Sequence, residues 1–210
     1  MADESSLLHC FRTIGRLKMV RRQGWIDRGV HDPESVADHS FRLALMAWIL
    51  AQERTDLDAG RAAVIALVHD LAEAIVGDRT PFDAALQAGA DPTLLFRQRP
   101  VYDPEAEARK TAAERAALHQ LAALLPPSVG QRVIEVWEEY EAMNTAEARF
   151  VRQLDKLETV LQALEYHAHQ PELIIDSFVI GALDEVGDPP LRRLLEQALA
   201  EAGWRAPDAQ

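Results

Sequence analysis

Apolar residues recur along most of this chain at steps of three and four, which is the spacing of one face of an α-helix. No segment shows the strict alternation of apolar and polar positions that is typical of a strand. The pattern therefore predicts an all-α fold of seven to nine helices. Two or more of them lie towards the C-terminal end, and the earlier ones are predicted at about 5–20, 35–52, 58–76, 103–125, 128–143 and 145–169.

Three of these helices carry a stripe of apolar side chains that predicts their buried face. The stripe of the first helix consists of Leu7, Phe11, Ile14 and Leu17. The apolar face of the second, in which Trp48 is expected to be a core residue, carries Phe41, Leu45, Trp48 and Ile49. The stripe of the helix at 145–169 consists of Phe150, Leu154, Leu157, Leu161 and Leu164.

Capping and helix-breaking residues set the expected boundaries. Ser35 followed by Asp38 resembles a capping box, and Gly77 is expected to end the third helix. Thr80-Pro81 predicts a short helix. Residues 24–33 are predicted to form a loop, as are 87–104, where glycine and proline recur; loops of that length are often functional.

Composition and charge narrow the function. The chain has 210 residues, enough for about one domain, predicted over residues 1–210 with a core at about 7–180 and C-terminal helices at 181–205. Its formal charge of −12 argues against nucleic acid or an anionic membrane as a partner. The longest apolar run, Leu43 to Ala51, is too short to span a bilayer. An acidic N-terminal segment and a single cysteine, Cys10, favour the reducing cytoplasm.

Candidate chemistry centres on His69-Asp70, within the apolar helix predicted at 58–76. An imidazole and a carboxylate are costly in such a stretch unless they are paired or bound to a metal. Glu73 lies one turn further on the same side of the helix. A buried His–Asp hydrogen-bond pair is the simpler interpretation of these residues taken alone.

Two further residues favour a metal. His39 follows the cap of the second helix, and Asp155 borders the apolar stripe of the helix at 145–169. Taken alone, His39 is a capping or core histidine and Asp155 an exposed charge paired with Arg152 or Lys156. Together with His69-Asp70 they supply two nitrogen and two oxygen ligands for a divalent metal. The absence of cysteine from this set argues against a closed structural zinc site.

At this point the chain resembles the HD-domain metal-dependent phosphohydrolases, and within them the HD-domain 5′-deoxynucleotidases. The resemblance covers roughly residues 7–180 and rests on ordered blocks rather than on the His-Asp dipeptide alone. The blocks are Arg22-Gln-Gly-Trp25, Arg28, Pro33-Glu-Ser-Val-Ala-Asp-His39, Leu67-Val-His69-Asp70-Leu-Ala-Glu73, Gly77-Asp78-Arg-Thr-Pro81, Trp137-Glu-Glu-Tyr140 and Gln153-Leu-Asp155.

The resemblance implies a role for each matching residue. The metal, which would be cobalt, manganese, magnesium or zinc, would be ligated by His39, His69, Asp70 and Asp155. Glu73 and Asp78 would be the catalytic carboxylates, in roles that the sequence does not divide between them. The substrate would be contacted by Arg22 and Arg28 on the phosphate side and by Trp25 as a wall against the nucleoside.

The implied reaction hydrolyses deoxyribonucleoside 5′-monophosphates to deoxynucleoside and phosphate, in a homodimer. The alternatives are another HD phosphohydrolase, acting on a cyclic nucleotide, a nucleoside triphosphate or a non-nucleotide monoester, and a noncatalytic metal- or nucleotide-binding module. The chain departs from the family pattern at two places. Gln23-Gly24 separates Arg22 from Trp25, and residues 84–102, at the expected rim of the pocket, differ.

Overall fold

The computed structural model describes residues 3–205, so the ends of the predicted domain, 1–2 and 206–210, lie outside it. The described residues are helical and contain no strand, which confirms the all-α prediction. None of their helices is long and apolar enough to cross a membrane. The helices are α1 (Glu4–Ile14), α2 (Gln23–Ile26), α3 (Val36–Ala51), α4 (Ala59–Val68), α5 (Glu73–Val76), α6 (Asp83–Gln87), α7 (Pro92–Phe96), α8 (Pro104–Ala122), α9 (Pro127–Ala142), α10 (Ala146–His169), α11 (Asp176–Glu185) and α12 (Pro189–Glu201).

The helices within residues 3–205 outnumber the predicted seven to nine because short segments were read as loops or as parts of longer helices. The short α2 lies in the predicted loop at 24–33, and α7 lies in the predicted loop at 87–104. The first predicted helix divides into α1 and a 3₁₀ turn at Gly15–Lys18. Segments of four or five residues carry too little periodicity to reveal their conformation.

Local side-chain hydrogen bonds begin the long helices where the sequence places them. Ser35 and Asp38 form a complete capping box at the start of α3, since each side chain bonds to the other's backbone N–H. The Asp103 and Thr145 side chains accept backbone N–H bonds at the starts of α8 and α10. Gly77 ends α5 with a φ of +76°, a conformation that glycine adopts without strain.

The core lies around α10, which packs against α3, α4, α9, α11 and α12. Phe150, Leu154 and Leu157 are buried, and the rest of the stripe predicted for this helix is partly buried. The prediction for α10 is therefore confirmed, and it fixes the position of Asp155 beside the core.

The stripe predicted for the first helix is confirmed in part. Leu17 is buried and Leu7 and Ile14 are partly buried, whereas Phe11 is 61% exposed.

The predicted buried face of α3 is wrong, because Phe41 and Trp48 are 69% and 49% exposed. On α3 the interior is taken by a different set of mostly small residues, Leu43, Ala44, Ala47 and Ala51. Both faces of this helix are apolar, so periodicity does not identify the inner one, and small side chains allow α3 and α4 to pack closely.

Candidate metal centre and active site

The predicted helix at 58–76 breaks at the His-Asp pair. Helix α4 ends at Val68, and the backbone then turns through bonds from Leu71 N–H to the Val68 carbonyl and from Glu73 N–H to the Asp70 carbonyl. Hydrogen bonds between an N–H and the carbonyl three residues earlier, as in a 3₁₀-helix, tighten a helix terminus. His69 and Asp70 therefore lie in a turn between α4 and α5 rather than in mid-helix.

This turn brings the four predicted metal ligands together. Ligand atoms of His39, His69 and Asp70 all lie within 4.8 Å of one another. The His69 Nε2 to Asp70 Oδ2 distance is 3.0 Å, and His39 Nε2 lies 3.9 Å from the same oxygen. Asp155 joins the group from α10, with Oδ1 at 3.2 Å from His39 Nε2.

Three buried atoms of this group accept or donate no hydrogen bond within the described residues. They are His39 Nε2, His69 Nε2 and Asp155 Oδ1. His39 Nε2 and Asp155 Oδ1 lie 3.2 Å apart without forming a hydrogen bond. Unpartnered buried polar atoms are destabilising unless a ligand satisfies them. Two imidazole nitrogens and two carboxylates fit a divalent cation of the first transition series or magnesium.

The remaining nitrogen of each histidine is held by the protein. His39 Nδ1 lies 2.5 Å from a carboxylate oxygen of Glu158, and His69 Nδ1 lies 2.7 Å from the Ala66 carbonyl oxygen. Glu158 in turn accepts a hydrogen bond from Arg42 at 2.8 Å. Such outer contacts fix the ring orientation and tautomer of metal-binding histidines.

Glu158 is absent from the site predicted from the sequence. Its position nevertheless indicates a buried carboxylate, because Glu158 lies one helical turn after Asp155 and directly follows the stripe residue Leu157. A carboxylate at a buried position of α10 needs a partner, and the partner is the histidine that Asp155 also approaches.

Glu158→Gln is expected to weaken metal binding by about 10- to 100-fold, since the amide no longer holds His39 as a charged acceptor. Isothermal titration of the metal-free protein with Mn²⁺ measures the change. Glu165→Gln is the matched control, because Glu165 also pairs with Arg42, at 3.0 Å, but is exposed and does not contact His39. Equal affinities in both variants would remove Glu158 from the metal site.

The two predicted catalytic carboxylates lie beside this cluster but differ in environment. Glu73 is 3% exposed, and its Oε2 has no hydrogen-bond partner within the described residues. Burial, together with the negative charges of Asp70 and Asp78, raises the pKa of Glu73 well above its ordinary value. Asp78 is only partly buried and accepts a hydrogen bond from the Gln23 backbone N–H at 2.6 Å.

Arg22 contacts the predicted ligand cluster and lies near the two predicted catalytic carboxylates. Its Nη1 donates to Asp70 at 3.2 Å, and its Nη2 donates to Thr159 at 3.4 Å. Although burial acts against its charge, Asp78 and Asp70 raise the pKa of Arg22 above its ordinary value. The guanidinium therefore keeps its charge within the cavity, where it suits a phosphate.

A second cation, Lys110 of α8, was missed by the sequence analysis. Its Nζ lies 3.4 Å from the Arg79 carbonyl oxygen and 3.7 Å from Glu114. Burial raises the pKa of Glu114 to about 7, although the neighbouring lysine acts in the opposite direction. The sequence does not predict that Lys110 belongs to the site, because α8 is rich in polar residues and only its packing against α5 brings the lysine there.

Trp25 is 1% exposed and belongs to the hydrophobic core. Its Nε1 donates to Glu34 at 3.0 Å, and its ring packs against Tyr166 and Phe178 at centroid distances of 5.2 and 4.7 Å. Trp25 is also among the residues that line the cavity described below. The residue is thus both a core anchor and a part of the pocket wall.

A cavity of about 710 Å³ connects these groups, which is within the range of small-molecule sites. Every predicted site residue except the fully buried His39 lines it. Acidic and basic groups line this cavity together with an apolar set, which consists of Pro81, Phe82, Pro100, Phe178 and Gly181.

A helical fold with a cluster of histidines and aspartates at such a cavity is typical of metal-dependent hydrolases. Comparison with known protein families identifies the family of this chain. The profile described as HD domain matches residues 14–179, and the chain belongs to this HD-domain family. A human protein named 5′-deoxynucleotidase HDDC2 is 38% identical over 198 residues, which are 93% of this chain and 86% of the relative.

Solved structures agree with the fold. A conserved hypothetical protein from Pyrococcus furiosus is similar at a TM-score of 0.67 and 30% identity, over 93% of this chain and 98% of its own. A structure described as a predicted metal-dependent phosphohydrolase from Magnetospirillum magnetotacticum gives a TM-score of 0.67 at 25% identity, over 99% and 100% of the two chains.

Proposed function

We propose that this chain is a metal-dependent 5′-deoxynucleotidase, which hydrolyses deoxyribonucleoside 5′-monophosphates to deoxynucleoside and phosphate. The observation that carries the proposal is the set of unpartnered ligand atoms beside a cavity of about 710 Å³. The similarity to relatives named 5′-deoxynucleotidase supports the same activity. A nucleoside monophosphate has both charged and apolar parts, and this cavity is lined by both charged and apolar side chains.

The divalent cation would be held by His39, His69, Asp70 and Asp155. When bound, it would neutralise charge on the phosphoryl oxygens and lower the pKa of a water molecule. The mixed nitrogen and oxygen donors accommodate manganese, cobalt, magnesium or zinc. Glu158 and the Ala66 carbonyl orient the two imidazoles towards this position.

The remaining groups act on the substrate and on protons. Hydrolysis breaks the bond between phosphorus and the 5′ oxygen, so the attacking water loses a proton and the leaving oxygen gains one. Glu73 and Asp78 are the carboxylates available for these two transfers. Arg22 binds the phosphate with the N–H groups that do not contact Asp70 and Thr159.

The function is tested by phosphate release from dAMP, AMP, a cyclic nucleotide, a nucleoside triphosphate and a sugar phosphate, each with Mn²⁺, Co²⁺, Mg²⁺ or Zn²⁺. We expect dAMP to exceed AMP by about 5- to 150-fold in kcat/KM, because a 2′-hydroxyl left unpaired against an apolar wall costs about 1–3 kcal/mol. Trp25→Phe, which keeps the core filled, is expected to narrow this ratio. Equal rates on dAMP and AMP would refute the deoxy preference.

The same panel separates the alternatives. Preference for a cyclic nucleotide, a triphosphate or a sugar phosphate would assign the chain to another HD phosphohydrolase activity. Metal binding without turnover of any compound would assign it to a noncatalytic module. The presence of Glu73 and Asp78 beside the ligand cluster favours catalysis, since binding alone requires neither carboxylate.

We also propose that the chain forms a homodimer through the outer face of α3 and α4. Large exposed apolar side chains cluster there, and contiguous apolar surface marks interaction sites. They are Phe41, Leu45, Trp48, Ile49, Val64 and Leu67. The double variant Phe41→Glu, Trp48→Glu is expected to halve the mass measured by sedimentation equilibrium. An unchanged mass in this variant would exclude this face as the interface.

A further inference from the structure

We infer that Arg28 anchors residues 81–100, here called the rim segment, over the nucleoside end of the cavity. Arg28 is thereby a positioning residue for the nucleoside rather than a ligand of the phosphate. The expected effects on kinetics rest on the proposed function, whereas the anchoring of the segment rests on the contacts of Arg28 alone.

All three nitrogens of the Arg28 guanidinium donate to protein oxygens. Nε donates to the Ile174 carbonyl at 3.1 Å, Nη1 to the Gly24 carbonyl at 2.8 Å, and Nη2 to Ser177 Oγ at 2.6 Å. These bonds occupy three of the five N–H groups of Arg28 and fix its orientation. Arg22 makes two such bonds, one of them to Asp70 of the predicted ligand cluster, so it is the better placed of the two arginines for the phosphate.

Aromatic rings also pack against the same guanidinium. Its central carbon lies 3.9 Å from the ring centroid of Phe96 and 3.9 Å from that of Phe178. The Phe82 ring lies at 5.6 Å and packs edge-on against Phe96. An arginine enclosed in this way is stabilised by cation–π interactions that strengthen when water is excluded.

These contacts hold the buried residues of the rim segment. Within it, Phe82 and Phe96 are the buried residues, and both pack around Arg28. The segment also packs against α11 through α7 and Pro100 and forms two ion pairs with it, which are exposed at Arg97 and Arg99 and contribute little. Arg28 is therefore the charged side chain around which both buried residues of the segment pack.

The rim segment contributes to the apolar lining of the cavity. Pro81, Phe82 and Pro100 line the cavity, as do Phe178 and Gly181 of α11. These apolar residues suit a nucleobase and deoxyribose, whereas the charged groups of the cavity suit the phosphate. Loss of the anchor should weaken nucleoside binding and leave phosphate binding intact.

The test compares Arg28→Lys, Arg28→Met and Phe96→Ala with the wild type, using dAMP as substrate and inorganic phosphate as inhibitor. Lysine keeps the charge but loses the planar fork and the stacking. The matched controls are Arg16→Lys, at an exposed position outside the cavity, and Leu94→Ala, at an exposed position of α7, the helix that contains Phe96. Thermal melting verifies that each variant is folded.

We expect all three variants to raise KM for dAMP at least about tenfold while kcat changes by less than about threefold. The inhibition constant of inorganic phosphate should stay at its wild-type value, and amide hydrogen exchange should become faster across residues 81–100. Weaker inhibition by phosphate in Arg28→Met, or wild-type exchange in Phe96→Ala and Arg28→Lys, would overturn the inference. If the wild type hydrolyses no nucleotide, the proposed function fails, and the exchange measurement still tests the anchor.

Discussion

Asp70→Ala is expected to abolish hydrolysis, by at least about 10³-fold in kcat, and to remove most of the bound metal. Asp70 Oδ2 lies 3.0 Å from His69 Nε2, 3.9 Å from His39 Nε2 and 3.2 Å from Arg22 Nη1. A single oxygen thus joins the predicted ligand group to Arg22, the residue proposed to bind the phosphate. Its loss would remove a charged ligand of the proposed metal and leave Arg22 without this ion-pair partner.

Phosphate release and elemental analysis of the purified variant measure the two losses, and circular dichroism verifies the helical content. Asp70→Asn separates charge from shape, and we expect it to resemble Asp70→Ala because a neutral amide is a weak ligand for a divalent cation. Asp32→Ala is the control, since its side chain is 94% exposed and makes only a distant ion pair with Arg21. Full metal occupancy and wild-type turnover in Asp70→Ala would eliminate the metal-site proposal.

The fold was predictable where local chemistry and long-range packing agree. The Ser35 and Asp38 capping box and the Thr145 cap begin helices α3 and α10 where expected. The α10 stripe at Phe150, Leu154 and Leu157 is buried as predicted. These signals act within one or two turns, so a single sequence is sufficient to identify them.

Other features depend on tertiary packing and were not predictable. The turn at His69-Asp70 interrupts a stretch from Ala62 to Val76 that is apolar except at His69, Asp70 and Glu73 and contains no helix-breaking residue. The inner face of α3 is predicted wrongly from periodicity. Trp48 and its apolar neighbours are exposed, whereas alanines pack inside. Periodicity reports that a face is apolar, and it does not report which neighbour covers it.

The candidate site shows the same division. His39, His69, Asp70 and Asp155 were chosen from the sequence, and the structure brings these four side chains together. Glu158 and Lys110 were missed because the meaning of each depends on a partner distant in the chain. Arg28 was recognised by its block, but the aromatic rings that enclose it come from residues 82–96 and from α11.

Glu73→Gln is expected to lower kcat by about 10²- to 10⁴-fold, the usual contribution of a general acid or base, while the protein retains its metal. Glutamine keeps the volume of the buried side chain but neither accepts nor releases the proton that hydrolysis moves. Glu73 is suited to this transfer because its Oε2 is buried and makes no hydrogen bond within the described residues.

The measurement pairs kcat for dAMP with metal content in the same preparation of the variant, and Glu172→Gln, at an exposed position of the loop before α11, is the control. The two readouts separate a proton-transfer group from a ligand. Because Glu73 begins α5, one turn beyond Asp70, it is near enough to the cluster for either role. Loss of metal together with turnover would place Glu73 among the ligands, and unchanged turnover would remove it from the mechanism. Retained metal with lost turnover leaves Glu73 as a group that moves the proton, which is the result that the unpartnered oxygen of Glu73 predicts.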